Sequence, residues 1–597
     1  MENFKHFMMV ELNKFQRLTG MVLRPQSYSF IGVELSTIKT FEVSDKTKLD
    51  ALWCLIQKIS VYFTKTEKAQ LGIIYTPRNV AEYMVSLIDP ERINGNTKVV
   101  DPAVGSGALL IAYLQRLQKL NPKINLNKYV SKCIYGFDIQ KENALAAECV
   151  LNIYVEIHGF RPTGVNISEQ DSLKLPFDQA YLKSTFDIVL GNPPYVRAKK
   201  IPNEYRNFLR EAWGGVISGQ PDIYIPFFSL AYWLARPEGQ IVYISPNSFF
   251  GSNNGKKLRK FIQENLKSVE IYSFHGDRIF GDDVMTYSAI TRLTMGKSQK
   301  ASAISFISRS GEPQEILINP ENGAWRLLLK KDQNIIEKLE HKYSALTNFV
   351  LRNGIATQRN SIYSFTPVES DENYYYTAEG DVIESAVTRA LVLPNRQHFT
   401  RLRIIFPYEW SSEAKRNVLI SENQFKRNYP HAYKYLLNNK ASLDRRKSDS
   451  GVWYAYGRSQ GISLTGTRLY IPYMAYKVQS FISTDPTELF AAGYALFSDD
   501  IDFLKGVQRI LSTDIFTYYL IKVSKPYSSG YYSTSKSMIQ HFSIPDIKEI
   551  NWKKYLKSSD LEKSTARLYG ISHEQLTYIH HVVTKMANKN GFESYES

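Results

Sequence analysis

Val99-Val100-Asp101-Pro102-Ala103-Val104-Gly105-Ser106-Gly107-Ala108-Leu109 reads as a strand that runs into a glycine turn and then a helix. Gly105 and Gly107 permit a tight turn and close backbone approach to a ligand, and Asp101 ends the strand beside it. This is not the dinucleotide fingerprint, which needs a third glycine in fixed register. Short apolar runs alternate with amphipathic segments on either side. Strands are expected at 98–102, 134–138, 187–190, 240–245, 269–274 and 287–294, with helices such as 79–88, 109–120, 141–157 and 256–265 between them. Alternating strand and helix predicts an open, largely parallel α/β sheet with ligands at the carboxyl ends of its strands. The last two strands are joined by a loop alone and are expected as an antiparallel edge pair.

The 597 residues are too many for one ordinary core, so two or three domains are expected. Hydrophobic residues at 43% and charged residues at 22% give a soluble globular composition. A formal net charge of +16 favours a polyanionic partner, and 40 tyrosines tilt that partner toward nucleic acid, since rings beside cations can stack on bases. Cys54, Cys133 and Cys149 match no zinc spacing and read as reduced thiols. The first residues lack the layout of a signal peptide. The longest apolar stretch, 223–235, is too short to span a bilayer and contains Pro226, so it is expected as a helix buried against the sheet. No metal site and no membrane association are expected, and the location expected is cytoplasmic.

Four domain segments follow from these patterns: a helical cap at 1–70, the α/β domain at 71–300, a linker region at 301–347 and a different C-terminal domain at 348–597. In the last of these, strand-like runs and Tyr- and Asn-rich loops replace the regular alternation. Around 425–461, Lys426, Arg427, Lys434, Lys440, Arg445, Arg446, Lys447 and Arg458 outnumber Asp444 and Asp449, with Tyr429, Tyr433, Tyr435, Trp453, Tyr454 and Tyr456 interleaved.

An acidic strand end such as Asp101 suits a ligand with an ammonium group, for example the methionine part of S-adenosylmethionine (SAM). The next predicted strand, Ile134-Tyr135-Gly136-Phe137-Asp138-Ile139, also ends in a carboxylate. Asp138 can accept both ribose hydroxyls there, while Phe137 or Ile139 covers an adenine face. Asp171 precedes the next strand, and its carboxylate can accept from the adenine amino group; a plain turn-forming Asp competes with that reading. Tyr75-Thr76-Pro77 opens an amphipathic helix, where Tyr75 and Thr76 can close over the cofactor's amino-acid end.

The most specific element is Asn192-Pro193-Pro194-Tyr195, which follows the apolar run Phe186-Asp187-Ile188-Val189-Leu190-Gly191. The Asn192 side-chain carbonyl and the Pro193 backbone carbonyl can each accept one hydrogen of a single amino group. Holding both hydrogens draws that amine toward tetrahedral geometry and localises its lone pair for attack on a sulfonium methyl. Pro194 stiffens the turn, and Tyr195 can stack on the ring that bears the amine. By itself the tetrapeptide allows adenine, cytosine or glutamine as the acceptor.

In this order the motifs resemble the SAM-dependent N6-adenine DNA methyltransferases of the gamma arrangement, as found in type II restriction–modification systems. The resemblance covers roughly 70–300 and is weaker beyond 350. It implies a Rossmann-like α/β methyltransferase sheet followed by a C-terminal mixed α+β DNA-recognition domain. It places Tyr75, Thr76, Asp101, Ala103, Gly105, Gly107, Asp138, Ile139, Asp171 and Phe227 around SAM. Asn192, Pro193, Pro194 and Tyr195 form the catalytic motif, with Tyr195 and Phe280 stacking on an adenine flipped from double-stranded DNA. Gly354-Ile355-Ala356-Thr357-Gln358-Arg359-Asn360 looks like a recurrent loop of specificity domains. Arg445, Arg446 and Arg458 are the expected DNA contacts, and a restriction endonuclease acting as a separate protein is the implied partner.

Three rivals share parts of this pattern. A protein-glutamine methyltransferase uses the same tetrapeptide, but its appended domains are small. A bifunctional restriction–modification polypeptide needs a nuclease constellation, and none is evident in the first 70 residues. A non-catalytic DNA-binding protein on a methyltransferase scaffold would not need Asp101, Asp138 and Asn192–Tyr195 together.

Overall fold

A computed structural model describes residues 1–63, 72, 74–220, 222–273, 288–296, 303–307, 313–317, 325–326, 328–395, 401–446, 448–524, 527, 530–539 and 541–589. It divides into two compact units, Met1–Leu329 and Lys330–Ser597.

The first unit is built on a nine-stranded sheet. Its strands are β1 (Val99–Asp101), β2 (Ile134–Asp138), β3 (Asn166–Glu169), β4 (Phe186–Gly191), β5 (Ala235–Pro246), β6 (Leu266–Ser273), β7 (Ser288–Met295), β8 (Ala303–Ile307) and β9 (Pro313–Leu317), in the order β3-β2-β1-β4-β5-β7-β6-β8-β9. The five strands β3 to β5 in that order run parallel, and β7 lies antiparallel to both β5 and β6. Successive side chains alternate between two apolar layers, as a pleated strand requires. Ile188, Leu190, Val242 and Ile244 pack on one side, while Val189, Ile241 and Tyr243 pack on the other.

Helices α1 (Glu2–Thr19), α2 (Asp45–Ser60), α3 (Arg78–Ser86), α4 (Ala108–Leu120), α5 (Leu126–Cys133) and α6 (Lys141–Ile157) contribute to the first layer. Helices α7 (Asn203–Trp213), α8 (Tyr224–Leu234) and α9 (Lys256–Asn265) contribute to the second. The apolar stretch read as a buried helix is α8, with Ile225, Phe228, Leu230 and Leu234 essentially inaccessible. Each such burial contributes about 1.5–3 kcal/mol before entropy is counted.

Four expectations need correction. The two N-terminal helices do not form a separate cap: Phe4, Met8, Leu12 and Phe15, spaced along one face of α1, join the core cluster that contains α6. Strand β3 was not expected, because Asn166-Ile167-Ser168-Glu169 is polar, as suits the sheet edge it occupies. The pair β6 and β7 is antiparallel but internal, with β7 inserted between β5 and β6. Residues 301–347 are not a plain linker, since β8 and β9 extend the sheet beyond β6 and Lys330–His341 is a helix of the second unit.

The second unit is mixed α and β. One four-stranded sheet is formed by Leu351–Asn353, Gly493–Phe497, Arg468–Pro472 and Phe481–Ser483, and another by Ser364–Phe365, Arg403–Ile405, Thr388–Val392 and Leu489–Phe490. Helices Ile501–Leu511, Asp514–Val523, Leu561–Tyr569 and His573–Lys589 follow. Among the described residues, no helix is long and apolar enough to cross a membrane.

Candidate active site

The carboxyl ends of β1, β2 and β4 converge on a cavity of about 410 Å³, within the size range of small-molecule sites. Asp101, at the end of β1, is 1% exposed, and its carboxylate accepts the Ala103 N–H at 2.9 Å. The chain then turns through Gly105 (φ 52°) and Gly107 (φ 83°), backbone conformations that a side chain would strain. Asp138, at the end of β2, holds that turn directly: its carboxylate accepts the Gly105 N–H at 3.0 Å, the Gln140 N–H at 2.8 Å and the Asn143 amide at 3.2 Å. Burial pushes both acids up, Asp101 to about 7, with the negative charge of Asp138 adding to the effect. A buried carboxylate beside a partly buried one forms a site that a cation relieves.

Tyr75 joins the same network, donating its hydroxyl to Asn143 Oδ1 at 2.9 Å. Burial, with the charge of Asp138, pushes its phenol far above the ordinary range, so it stays a donor. Asp171 accepts the Leu173 N–H at 3.1 Å and caps the short turn that follows. Its two oxygens lie 3.0 and 2.9 Å from the Tyr205 hydroxyl. Ile139, 60% exposed, and buried Phe227 supply apolar surface to the cavity.

Beyond β4, the Asn192 side-chain amide donates to the Ile74 carbonyl at 2.7 Å and to Thr76 Oγ1 at 3.2 Å. The Ile74 carbonyl, which can only accept, fixes which end of the amide is nitrogen. The other end, Oδ1, is buried and has no hydrogen-bond partner among the described residues. A buried acceptor left unpaired costs about 1–3 kcal/mol, and Asn192 lies on the cavity wall. Thr76 therefore orients Asn192 in addition to lining the cavity. Pro194 lines it too, whereas buried Pro193 and partly buried Tyr195 do not. Tyr195 is anchored by its N–H to the Gly72 carbonyl at 3.0 Å, with its hydroxyl 3.3 Å from Ser288 Oγ.

The structure thus brings Tyr75, Thr76, Asp101, Ala103, Gly105, Asp138, Ile139, Asp171, Asn192, Pro194 and Phe227 to one cavity. Gly107 sits just behind it, where a Cβ would meet Ala147 at 3.5 Å. Phe280 lies outside the described residues. Sequence reading missed Asn143, which bridges Tyr75 and Asp138, and the cavity-lining Lys200, Ile201 and Tyr205. Asn143, near the start of a helix, and Tyr205, in a charged one, carry no local signal; only tertiary packing selects them.

Residues 132–280 match the family model described as Eco57I restriction-modification methylase. Over that stretch the chain is similar to restriction-modification methylases. It is 24% identical over 539 residues to the Type II restriction enzyme and methyltransferase RM.Eco57I of Escherichia coli, a match covering 73% of this chain and 52% of that protein. Against the Type II methyltransferase M.BstVI of Geobacillus stearothermophilus, identity is 24% over 56% of this chain and 66% of the relative. The chain thus spans about half to two-thirds of the length of these relatives. With the Type II methyltransferase M.PaeR7I of Pseudomonas aeruginosa, identity is 21% over 84% of this chain and 92% of the relative. The fold is shared with the Type IIL restriction-modification enzyme MmeI in complex with DNA, at 14% identity and TM-score 0.57 over 95% of this chain and 84% of that one. It is also shared with the ATP-dependent Type ISP restriction-modification enzyme LlaBIII bound to DNA, at 14% identity and TM-score 0.54 over 92% and 45%.

In the second unit, the three expected DNA contacts divide. The Arg446 guanidinium donates to the carbonyls of Leu443 (3.0 Å), Thr357 (2.8 Å) and Trp453 (2.6 Å) and to the Tyr363 hydroxyl (3.1 Å). Through Thr357 it braces the 354–360 loop. Gly354 in that loop has no room for a side chain, since a Cβ would sit 2.2 Å from the Phe490 carbonyl oxygen. Arg458 forms an ion pair with Asp449, and its backbone N–H donates to the Ala356 carbonyl at 3.0 Å. Arg445 is exposed, with one bond to the Ala441 carbonyl at 3.2 Å. Tyr454 and Tyr456, interleaved with the cations in sequence, are buried in the core of this unit.

Proposed function

We propose that this chain transfers a methyl group from SAM to N6 of an adenine flipped out of double-stranded DNA, within a restriction–modification system. The observation that carries the reading is Asn192 Oδ1, a buried acceptor on a cavity-lining residue that has no hydrogen-bond partner among the described residues. The cavity's residues fit SAM: the acidic end of β1 suits an ammonium group, Asp138 and its glycine turn a ribose, and Ile139 and Phe227 an adenine. When bound, SAM supplies an electrophilic methyl group on a sulfonium sulfur.

The chain's part is to hold and orient. Asn192 Oδ1 accepts one hydrogen of the target amine and the Pro193 carbonyl the other, which turns the nitrogen lone pair toward the methyl carbon. No base is needed before attack, since the proton leaves to solvent after the N–C bond forms. This is catalysis by positioning and by preorganised dipoles. Flipping adenine costs a few kcal/mol, and stacking on Tyr195, with Phe280 as a second ring, returns about 1–3 kcal/mol per contact. Exposed cations of the second unit, Arg445 among them, neutralise phosphates.

A cytoplasmic location and a separately acting restriction endonuclease fit this reading. The test is transfer of label from radiolabelled SAM, offered unmethylated DNA or a release factor. Label in N6-methyladenine is the expected result. Label in protein alone would assign the amine to glutamine, and label in cytosine would move it to N4.

A further inference from the structure

We propose that Tyr205 is a positioning residue for cofactor binding: it fixes the Asp171 carboxylate for the amino group of the cofactor's adenine. The inference rests on the methyltransferase reading. Tyr205 lies ten residues beyond Tyr195, in a stretch where Val196, Lys200, Ile201 and Pro202 also line the cavity. The segment that leaves the catalytic motif therefore folds back over the cofactor's end of the site. Its far end is pinned there twice. The Tyr205 hydroxyl lies 2.9 and 3.0 Å from the two Asp171 oxygens, and Trp213 Nε1 donates to the Leu173 carbonyl at 3.2 Å. The Ile223 N–H closes the excursion on the Val196 carbonyl at 3.0 Å.

The chemistry of the pair is specific. A phenol has one proton to give, here shared by both carboxylate oxygens, and Oδ1 also receives the Leu173 N–H. An ionised carboxylate accepts about four hydrogen bonds, so capacity remains for a further donor on the cavity side. The tyrosine holds the carboxylate plane while that capacity is used. Without the hydroxyl, Asp171 keeps its turn but loses the bond that fixes its carboxylate plane at the cavity.

Tyr205→Phe keeps the ring, including its contact with Phe208. Calorimetric titration of wild type, Tyr205→Phe, Asp171→Asn and the double variant with S-adenosylhomocysteine is the test, with melting temperatures compared in parallel. Tyr205→Phe is expected to weaken binding about tenfold, the scale of a hydrogen bond to a charged group. Its KM for SAM should rise in step, while kcat at saturating SAM stays within about twofold. The double variant should bind as Asp171→Asn does, because the two residues act as one unit. Unchanged binding by Tyr205→Phe overturns the inference, as do additive losses in the double variant. A wild type that binds no S-adenosylhomocysteine overturns the methyltransferase reading itself, and this inference falls with it.

Discussion

Asn192 and Arg446 are both polar side chains held by backbone carbonyls, one in each unit, yet they differ in what is left over. The Asn192 amide nitrogen is used by Ile74 and Thr76, and its oxygen has no partner among the described residues. The Arg446 guanidinium spends its donors on three carbonyls and a hydroxyl inside its own unit. Both stand in stretches whose composition suggests function. The difference teaches that a candidate site is marked by a buried hydrogen-bonding capacity the fold leaves open, whereas density of charge is not enough.

The sharpest way to break this comparison is Asn192→Ala. If the open acceptor grips the target amine in the transition state, kcat falls by roughly 10²–10³-fold, the range for deleting one preorganised hydrogen-bond partner. DNA affinity, read by fluorescence anisotropy, should change little. A variant that keeps its transfer rate would show that the open acceptor is incidental. Arg446→Ala should give the opposite profile. Losing four bonds around the 354–360 loop is expected to destabilise the protein by about 2–4 kcal/mol in denaturant titration. A stable variant with weakened DNA binding would return Arg446 to the interface.

How much of this was legible in sequence follows the same divide. The α/β order, the acidic strand ends and the tetrapeptide are local: an apolar run, a glycine turn and a proline pair each constrain the backbone within a few residues. The cavity residues they nominated are therefore mostly brought together. Strand β3 was not legible because an edge strand can be polar. The insertion of β7 between β5 and β6 was not legible because strand order is a long-range choice. In the second unit, the mixture of rings and cations nominates Arg445, Arg446 and Arg458 as DNA contacts. The rings of Tyr454 and Tyr456 fill a core whose carbonyls need Arg446, and bracing and exposed cations look alike in one dimension.

Titration sharpens the comparison within the first unit. Asp101 is raised from 3.8 to about 7 by burial and by Asp138. A carboxylate whose folded pKa is raised binds more protons folded than unfolded. It therefore lowers stability as pH climbs from about 4 to about 7, with the full penalty above 7. A ligand ammonium needs the ionised form, so SAM affinity should fall as pH drops below about 7, by up to about tenfold per pH unit. Asp101→Asn should bind SAM poorly at every pH, yet melt higher than wild type at pH 8 without ligand. A lower melting temperature there would show that the charge serves the fold and not the site.

The smallest effect expected is at Arg445, which separates charge from structure in the second unit. Its side chain is exposed and makes one bond within its own helical turn, so Arg445→Ala should leave stability within about 0.5 kcal/mol. If it meets a phosphate, DNA binding weakens about equally across sequences, and the slope of log affinity against log salt becomes shallower by about 1. If it reads a base, the loss is confined to the methylated sequence and the slope is unchanged. If neither moves, Arg445 is a solvated surface charge.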